Sequence, residues 1–233
     1  MDKVFVIGDI HGCYNELVEL LQYWNKENEQ LVFLGDYIDR GQDSLAVVQL
    51  VQSLVHSGNA IALKGNHEDM FIDWLEERNA ERFLRNGGSE TIRSFLGTTK
   101  ERDTRRAIME AFSDEVFFLA GLPLYHEWGD FLFVHAGVDL TLHDWKKSTI
   151  KDLLWIRDPF HIGENQTGKR IIFGHTPVQM LHPDDCAEPW TSPCGTKIGI
   201  DGGLVFGGKL HGVKIDSANK FEWYHVQHKS KGH

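Results

Sequence analysis

The chain has 233 residues, 41% of them hydrophobic and 25% charged, a composition typical of a globular protein that buries a core without disulfides. The formal net charge of −10 argues against a protein whose main affinity is for the nucleic-acid backbone, and it leaves carboxylates to bind divalent cations. The three cysteines have no CxxC spacing, and no signal-peptide core or membrane-length apolar segment is found, so we expect a cytoplasmic protein without membrane association.

Five short apolar runs, rich in β-branched and aromatic residues, each end in a polar loop that contains glycine. This pattern predicts buried strands rather than helices. The runs are residues 4–7, 31–34, 60–63, 131–134 and 171–173. Between the first three runs, apolar residues recur at helical spacing over 17–24 and 45–55, which predicts parallel strands joined by crossover helices.

The remaining segments predict a second sheet and a helical insertion. Residues 197–201, 210–215 and 221–226 are expected to be consecutive strands of a second, more antiparallel sheet. The stretch from about 69 to 121 is mostly helical in pattern and is expected to form a cap-like insertion within a single domain spanning 1–233. The predicted fold class is therefore α/β, with two packed sheets flanked by helices.

Polar side chains follow each of the five predicted strands at its carboxyl end, which is the edge of an α/β sheet where ligands bind. The candidates are Asp9, His11, Asp36, Asn66, His135 and His175. Taken one at a time, each loop is more often a turn, a helix cap or a satisfied core histidine. Taken together, six carboxylate, imidazole and amide ligands suit two divalent ions such as manganese, iron or zinc, with manganese expected in vitro.

The loops also carry a resemblance that covers most of the chain. The segments Gly8-Asp9-Ile10-His11-Gly12, Gly35-Asp36-Tyr37-Ile38-Asp39-Arg40-Gly41 and Gly65-Asn66-His67-Glu68 resemble the three signature blocks of the phosphoprotein phosphatase (PPP) family of calcineurin-like metallophosphoesterases. His135-Ala136-Gly137 and Gly174-His175 resemble the two later metal-binding blocks of that family. The resemblance implies a β-sandwich flanked by helices and two metals bridged by one carboxylate.

The resemblance also implies a role for each matching residue. It assigns Asp9, His11 and His175 to one metal, Asn66 and His135 to the other, and Asp36 to both. His67 is similar to the general acid, Asp39 to the carboxylate that orients it, and Arg40 and Arg157 to phosphate-binding arginines. These roles fit in-line attack on phosphorus by a hydroxide that both metals hold.

Four smaller features are less specific. Asn86-Gly87-Gly88 with Thr91 resembles a loop of bacterial family members that borders the active site, and an ordinary helix end and restart explains the same residues equally well. The paired glycines at 202–203 and 207–208 predict tight turns, and Asp201 is interpreted as a turn residue. The basic tail at 229–233 is too short for a nucleic-acid patch and is expected to be mobile.

Three functions are compatible with the sequence. The favoured one is hydrolysis of phosphate monoesters, above all phosphoserine and phosphothreonine in proteins. The second is hydrolysis of bis(5'-nucleosyl) tetraphosphates, and the third is a metal-binding scaffold without turnover. The expected partner is a phosphorylated protein or a small phosphate ester. Intact His67, Asp39 and Arg40 argue against the scaffold, which needs only metal ligands.

Overall fold

The computed structural model describes residues 2–99 and 103–229, and these residues form two five-stranded sheets flanked by helices. The strands are β1 (Lys3–Ile7), β2 (Glu29–Phe33), β3 (Ala60–Ala62), β4 (Tyr125–Trp128), β5 (Phe131–Val134), β6 (Arg170–Phe173), β7 (Trp190–Thr191), β8 (Lys197–Gly199), β9 (Lys209–Asp216) and β10 (Phe221–Gln227). The α-helices are α1 (Tyr14–Leu20), α2 (Ser44–His56), α3 (Asn66–Leu75), α4 (Ala80–Phe83), α5 (Ser89–Leu96), α6 (Thr104–Ala111), α7 (Ser113–Ala120), α8 (Ile150–Trp155) and α9 (Asp158–Ile162). The two-sheet α/β architecture expected from the sequence is confirmed.

Each of the two sheets combines three parallel strands with two strands that pair antiparallel to their neighbours. The first runs β10-β9-β1-β2-β3, with β1, β2 and β3 parallel and β9 and β10 antiparallel to their neighbours. The second runs β4-β5-β6-β8-β7, with β5, β6 and β8 parallel and the edge strands β4 and β7 antiparallel. Each sheet therefore contains three neighbouring parallel strands, and their carboxyl ends lead into loops at one edge of that sheet.

The prediction that the three C-terminal runs share one antiparallel sheet is wrong. Of these three runs, β8 alone belongs to the second sheet, where it is parallel to β6. Strands β9 and β10 return to the first sheet, where β9 pairs antiparallel with β1 and Val213 lies opposite Val6. The alternation in β9 directs Val213 and Ile215 into the space between the sheets, and that pattern is the same whichever sheet the strand joins.

Alternate side chains of both sheets point inward and fill the space between the sheets. They are Val4, Val6, Val32, Leu34, Leu63, Phe131, Phe133, Ile172, Ile198, Ile200, Val213 and Ile215. The opposite face of β1, with Phe5 and Ile7, packs under the helices. Because both faces of the central strands are covered, their sequences are almost continuously apolar.

The helical stretch between β3 and β4 shares the main hydrophobic core instead of forming a separate one. Phe71, Trp74, Phe83 and Phe95 from helices α3, α4 and α5 lie in the same cluster of buried side chains as Phe5 of β1. The first of these helices begins at residue 66, earlier than the expected start at 69. The insertion therefore reaches the predicted site directly.

Parts of two predictions lie outside the described residues. These are residues 100–102 of the insertion and 230–233 of the basic tail. Among the described helices, none combines the length and the apolar character that a membrane crossing needs. The three cysteines carry free thiols.

Candidate functional site

The loops after the parallel strands of both sheets meet at one edge of the molecule. They bring together the six predicted ligands, each of which is at most 6% exposed: Asp9, His11, Asp36, Asn66, His135 and His175. Five of them follow strands, and Asn66 is the first residue of α3. The sequence-predicted residues thus form one buried polar cluster.

Asp36 occupies the centre of this cluster. Its Oδ1 accepts a hydrogen bond from the backbone N–H of His67 at 3.1 Å and lies 3.4 Å from His135 Nε2. Its Oδ2 lies 3.6 Å from His11 Nε2. Burial acts to raise the pKa of Asp36, but the surrounding imidazoles, His135 foremost, hold it well below its usual range. Asp36 is therefore a carboxylate that faces nitrogen atoms from two directions.

His135 and His175 form one side of the cluster because β5 and β6 are neighbouring parallel strands. His135 Nδ1 donates to the carbonyl oxygen of Leu34 at 2.9 Å, so its Nε2 carries the lone pair and faces Asn66 Oδ1 at 2.9 Å. His175 Nδ1 lies 2.7 Å from the same Asn66 oxygen, and its buried Nε2 has no hydrogen-bond partner. The ring of His175 is thus grouped with Asn66 and His135.

His11 forms the other side. Its Nδ1 donates to the Ile38 carbonyl oxygen at 2.9 Å, so Nε2 again carries the lone pair and points toward Asp36. Arg40 Nη1 lies 2.6 Å from that nitrogen. Burial holds the pKa of His11 well below its usual value, which keeps the ring neutral. In both His11 and His135, a backbone carbonyl selects the tautomer that presents Nε2 to the cluster.

The donor chemistry of the cluster fits divalent metal ions. Burial lowers the pKa of His135 and, further, that of His175, so both rings are neutral. Because His135 Nδ1 donates to Leu34, its Nε2 lone pair faces the oxygens of Asp36 and Asn66, and a cation among these three acceptors would satisfy them. Two sets of ligand atoms lie within 4.8 Å of one another around the shared carboxylate: His11, Asp36 and His67, and Asp36, His135 and His175.

Two further carboxyl groups, those of Asp9 and Asp201, are buried at this edge close to Asp36. Asp9 accepts the backbone N–H of His175 at 2.9 Å, and burial, followed by the charges of Asp201 and Asp36, raises its pKa well above the usual value. Burial also raises the pKa of Asp201 to about 6. Asp201 accepts the N–H of Gly203 at 2.9 Å, which confirms the predicted turn, but its place in the cluster was missed. The available signal was its position two residues after a parallel strand, as in the metal-binding loops.

His67 and Asp39 form a buried dyad beside Asp36. His67 Nδ1 lies 2.6 Å from Asp39 Oδ2, so His67 Nε2 faces the cluster. Burial acts to lower the pKa of His67, but Asp36 and Asp39 outweigh it and raise the pKa. Burial raises the pKa of Asp39, whereas the hydrogen bonds from His67 and Thr91 favour its ionised form. The dyad therefore holds a proton on an imidazole next to the candidate metal ligands.

Glu68 is a structural member of the site that sequence reasoning quoted only as part of a motif. Its fully buried carboxylate accepts the backbone N–H groups of Asp36, Tyr37 and Gly65, all at 2.9 Å. It thereby joins the loop after β2 to the start of α3. The position of Asp36 relative to Asn66 depends on these three hydrogen bonds.

Aromatic and cationic side chains border the outer part of the cluster. Arg157 donates to the carbonyl oxygen of His175 and to Thr176 Oγ1, both at 3.3 Å. The ring of Trp155 meets the ring of His175 edge-on with centroids 5.8 Å apart. The guanidinium of Arg82, from α4, lies 3.7 Å above the Trp155 ring. Arg82, which belongs to the insertion, is thus separated from the candidate metal ligand His175 only by the ring of Trp155.

Comparison with known proteins places these features in one family. Residues 2–208 match the family model described as calcineurin-like phosphoesterase. The chain is 30% identical over 233 residues to the asymmetrical bis(5'-nucleosyl)-tetraphosphatase PrpE of Oceanobacillus iheyensis, with 89% of this chain and 86% of that protein covered. It is 29% identical over 217 residues to serine/threonine-protein phosphatase 1 of Salmonella typhimurium, with 91% of each chain covered.

A solved structure supports the same fold. A crystal structure assigned provisionally as a diadenosine tetraphosphatase superposes on this chain with a TM-score of 0.72 and 18% sequence identity. The superposition covers 99% of this chain and 95% of that one. At this level of identity the likeness shows the fold alone.

Proposed function

The chain belongs to the calcineurin-like phosphoesterase family, and from this premise we propose that it hydrolyses phosphate esters at the Asp36 cluster with two divalent metal ions. The observation that carries the proposal is the convergence of six buried ligands, the His67–Asp39 dyad and Arg40 at one sheet edge. A scaffold would need the ligands but not the dyad, so the dyad favours catalysis.

We assign the metals by the groups that the ligands form. Asp36 would contact both ions, with Asp9 and His11 on one side. Asn66, His135 and His175 would hold the other ion, because their ring nitrogens and amide oxygen face one another. This assignment moves His175 away from the ion of Asp9 and His11, where the resemblance had placed it. The mixture of carboxylate, imidazole and amide suits manganese, iron or zinc, and we expect manganese to support activity in vitro. Bound ions would lower the pKa of a coordinated water and offset negative charge on the phosphoryl oxygens.

The arginines have the geometry to orient the phosphoryl group. Arg40 uses one Nη to contact His11, and Arg157 uses two donors on His175 and Thr176, so each retains further N–H donors. A planar guanidinium that is always charged can donate two parallel hydrogen bonds to phosphoryl oxygens. We propose that these arginines fix the phosphorus for in-line attack.

His67 would supply the proton that the departing group needs. In the reaction the oxygen of a water molecule bonds to phosphorus and releases one proton to solvent, while the ester P–O bond breaks with its electron pair on the leaving oxygen. His67 Nε2 donates its proton to that oxygen and is reprotonated from solvent. Asp39 holds Nδ1 and so directs Nε2 toward the cluster. Acid catalysis of this kind contributes about 10²–10⁴ in rate.

Phosphoserine and phosphothreonine in proteins are the first candidate substrates. The similarity to serine/threonine-protein phosphatase 1 supports them, and hydrolysis of a monoester needs only the machinery described above.

Because the three cysteines are free thiols, we also propose a reducing compartment, the cytoplasm.

A second candidate, a dinucleoside tetraphosphate, is favoured by a specific contact. The Arg82 guanidinium stacks on Trp155 beside His175, where it could meet a second phosphate of a polyphosphate chain. The similarity to the tetraphosphatase PrpE supports the same candidate. The reacting groups would be the same for both substrates.

The variant His67→Asn tests the proposed mechanism. Metal content should stay unchanged, while kcat should fall by about 10²–10⁴ for an alkyl phosphate and much less for an aryl phosphate, whose leaving group needs little protonation. Metal analysis and steady-state kinetics with both substrates measure these effects. Equal losses for the two substrates would refute the general-acid role.

A further inference from the structure

The segment Asn86-Gly87-Gly88 breaks the helical insertion directly against the candidate site. Asn86 and Gly87 leave helical geometry, with φ −96° and ψ 15° at Asn86 and φ 98° and ψ 11° at Gly87. The chain resumes as α5 at Ser89, and Thr91 lies in the first turn of that helix. The two interpretations that the sequence allowed are therefore both correct, since the helix ends and restarts here and the loop also borders the site.

Thr91 contacts the carboxylate that holds His67. Its fully buried Oγ1 donates to Asp39 Oδ1 at 2.5 Å and accepts the backbone N–H of Asp39 at 2.9 Å. The other carboxylate oxygen of Asp39 faces His67 Nδ1 at 2.6 Å. One hydroxyl on the insertion thus sets the plane in which Asp39 meets the imidazole.

Gly87 contacts Arg40, which directly follows Asp39 in the loop after β2. Its carbonyl oxygen accepts the backbone N–H of Arg40 at 3.3 Å. A β-carbon at Gly87 would lie 2.7 Å from the Arg40 nitrogen and 2.8 Å from its Cγ, and φ is positive at Gly87, so a larger residue is strained here. The insertion and the loop after β2 therefore pack backbone against backbone.

These contacts act on two residues in an unfavourable backbone conformation. Asp39 and Arg40 have φ values of 70° and 69°, in the left-handed region that residues other than glycine rarely adopt. Such a conformation persists only where the surroundings hold it in place, and it is concentrated at functional sites. Thr91 Oγ1 and the Gly87 carbonyl oxygen accept the backbone N–H groups of Asp39 and Arg40 and so contribute to that support, together with Ser44 Oγ, which accepts the Asp39 N–H at 3.2 Å.

We propose that Gly87 and Thr91 form a positioning element through which the helical insertion holds Asp39 and Arg40, and through Asp39 the ring of His67, in the reactive arrangement. The proposal rests on the function proposed above for the His67–Asp39 dyad. Thr91 is a positioning residue in this account, because it touches Asp39 and reaches no other predicted site residue directly among the residues that the structure describes.

Thr91→Val removes the hydroxyl and keeps a similar shape, and Thr91→Ser keeps the hydroxyl. In the manganese-loaded protein, Thr91→Val should lower kcat for an alkyl phosphate by about 10- to 100-fold, the effect of one hydrogen bond to a charged group. The loss for an aryl phosphate should be smaller, and KM should change little. Thr91→Ser should restore most of the activity.

Ser94→Ala is the matched control. Ser94 lies on the same helix and its Oγ accepts the backbone N–H of Leu45 at 3.0 Å, so it joins α5 to the neighbouring helix α2 without touching the dyad. This variant should keep wild-type rates with both substrates. A Thr91→Val variant with an unchanged alkyl-to-aryl ratio, or with equal losses that Thr91→Ser does not restore, would overturn the proposal.

A second readout is independent of turnover. The Nδ1 proton of His67 in its short hydrogen bond to Asp39 should give a downfield proton NMR signal that disappears in His67→Asn. Thr91→Val should shift or broaden this signal, and Ser94→Ala should not. An unchanged signal in Thr91→Val would refute the positioning role even if the wild-type protein hydrolysed none of the substrates, an outcome that by itself counts against the proposed function.

Discussion

Lys197 is a buried lysine outside the candidate site whose replacement should have a large and calculable effect. Only 1% of Lys197 is exposed, and its ammonium donates to the carbonyl oxygens of Phe160, His161 and Gly163 at 2.7, 2.8 and 2.6 Å. These carbonyls belong to the end of α9 and the residue after it, where helices lack internal donors. Arg157 lies directly before the first residue of α9, so by fixing this helix Lys197 also helps to fix the backbone that carries Arg157.

Lys197→Met keeps most of the aliphatic stem and removes all three hydrogen bonds. An acceptor left without a donor costs about 1–3 kcal/mol when buried, and Gly163 lies near the surface where water can replace the ammonium. We therefore expect the free energy of unfolding to fall by about 2–4 kcal/mol. Urea denaturation of the chelated protein, followed by circular dichroism, measures this difference.

Lys169→Met provides the comparison. Lys169 also donates to a backbone carbonyl, that of Gly129 at 2.8 Å, but its side chain is 26% exposed and its ion pair with Glu127 lies at the surface. This substitution should cost less than about 1 kcal/mol. A loss below about 1 kcal/mol for Lys197→Met, or losses of equal size in the two variants, would refute the reasoning.

Three other predictions concern metal binding, selectivity and acid stability. Asp36→Asn should lose at least one tightly bound metal by elemental analysis after desalting, and two retained metals would refute the shared-ligand role. Arg82→Ala should lower kcat/KM for diadenosine tetraphosphate by about 10-fold and leave a phosphoserine peptide unaffected, whereas equal effects would remove the contact that favours the second candidate. Burial lowers the pKa of His211 from 6.5 to about 4, so this neutral ring stabilises the fold above pH 6.5 and loses its contribution as the pH falls toward 4. The variant His211→Gln should therefore lose about 2 kcal/mol less than the wild type between pH 7 and pH 5 in urea denaturation, and equal losses would contradict the assignment.

The site residues could be predicted because their pattern is local. Each lies in a short glycine-bearing loop directly after an apolar run, and parallel strands deliver such loops to one edge. For this reason the sequence pattern alone groups Asp36, Asn66 and His135 at that edge, whereas His67 was assigned by the resemblance. The fold adds the atoms that each residue faces, such as the Leu34 carbonyl that selects the tautomer of His135.

Contacts between residues distant in sequence could not be predicted in the same way. The hydroxyl of Thr91 meets Asp39 across 52 residues. The Asn86-Gly87-Gly88 motif before Thr91 suggested a loop beside the site, but it did not indicate which residue Thr91 contacts. The pairing of His175 with Asn66 depends on the order of strands in the second sheet. Strand β9 has an alternating pattern that suits either sheet, so its return to β1 follows only from the packing of the whole chain.

Metal-dependent hydrolysis of a phosphate ester is the central claim, and one comparison tests it most directly. Metal-free and manganese-loaded protein would be assayed for kcat/KM on an aryl phosphate, a phosphoserine peptide and diadenosine tetraphosphate. We predict turnover only in the loaded protein, with the phosphopeptide preferred over the dinucleotide. Preference for diadenosine tetraphosphate would favour the second candidate substrate. Equal rates with and without metal, or no turnover with manganese, iron or zinc, would contradict the account.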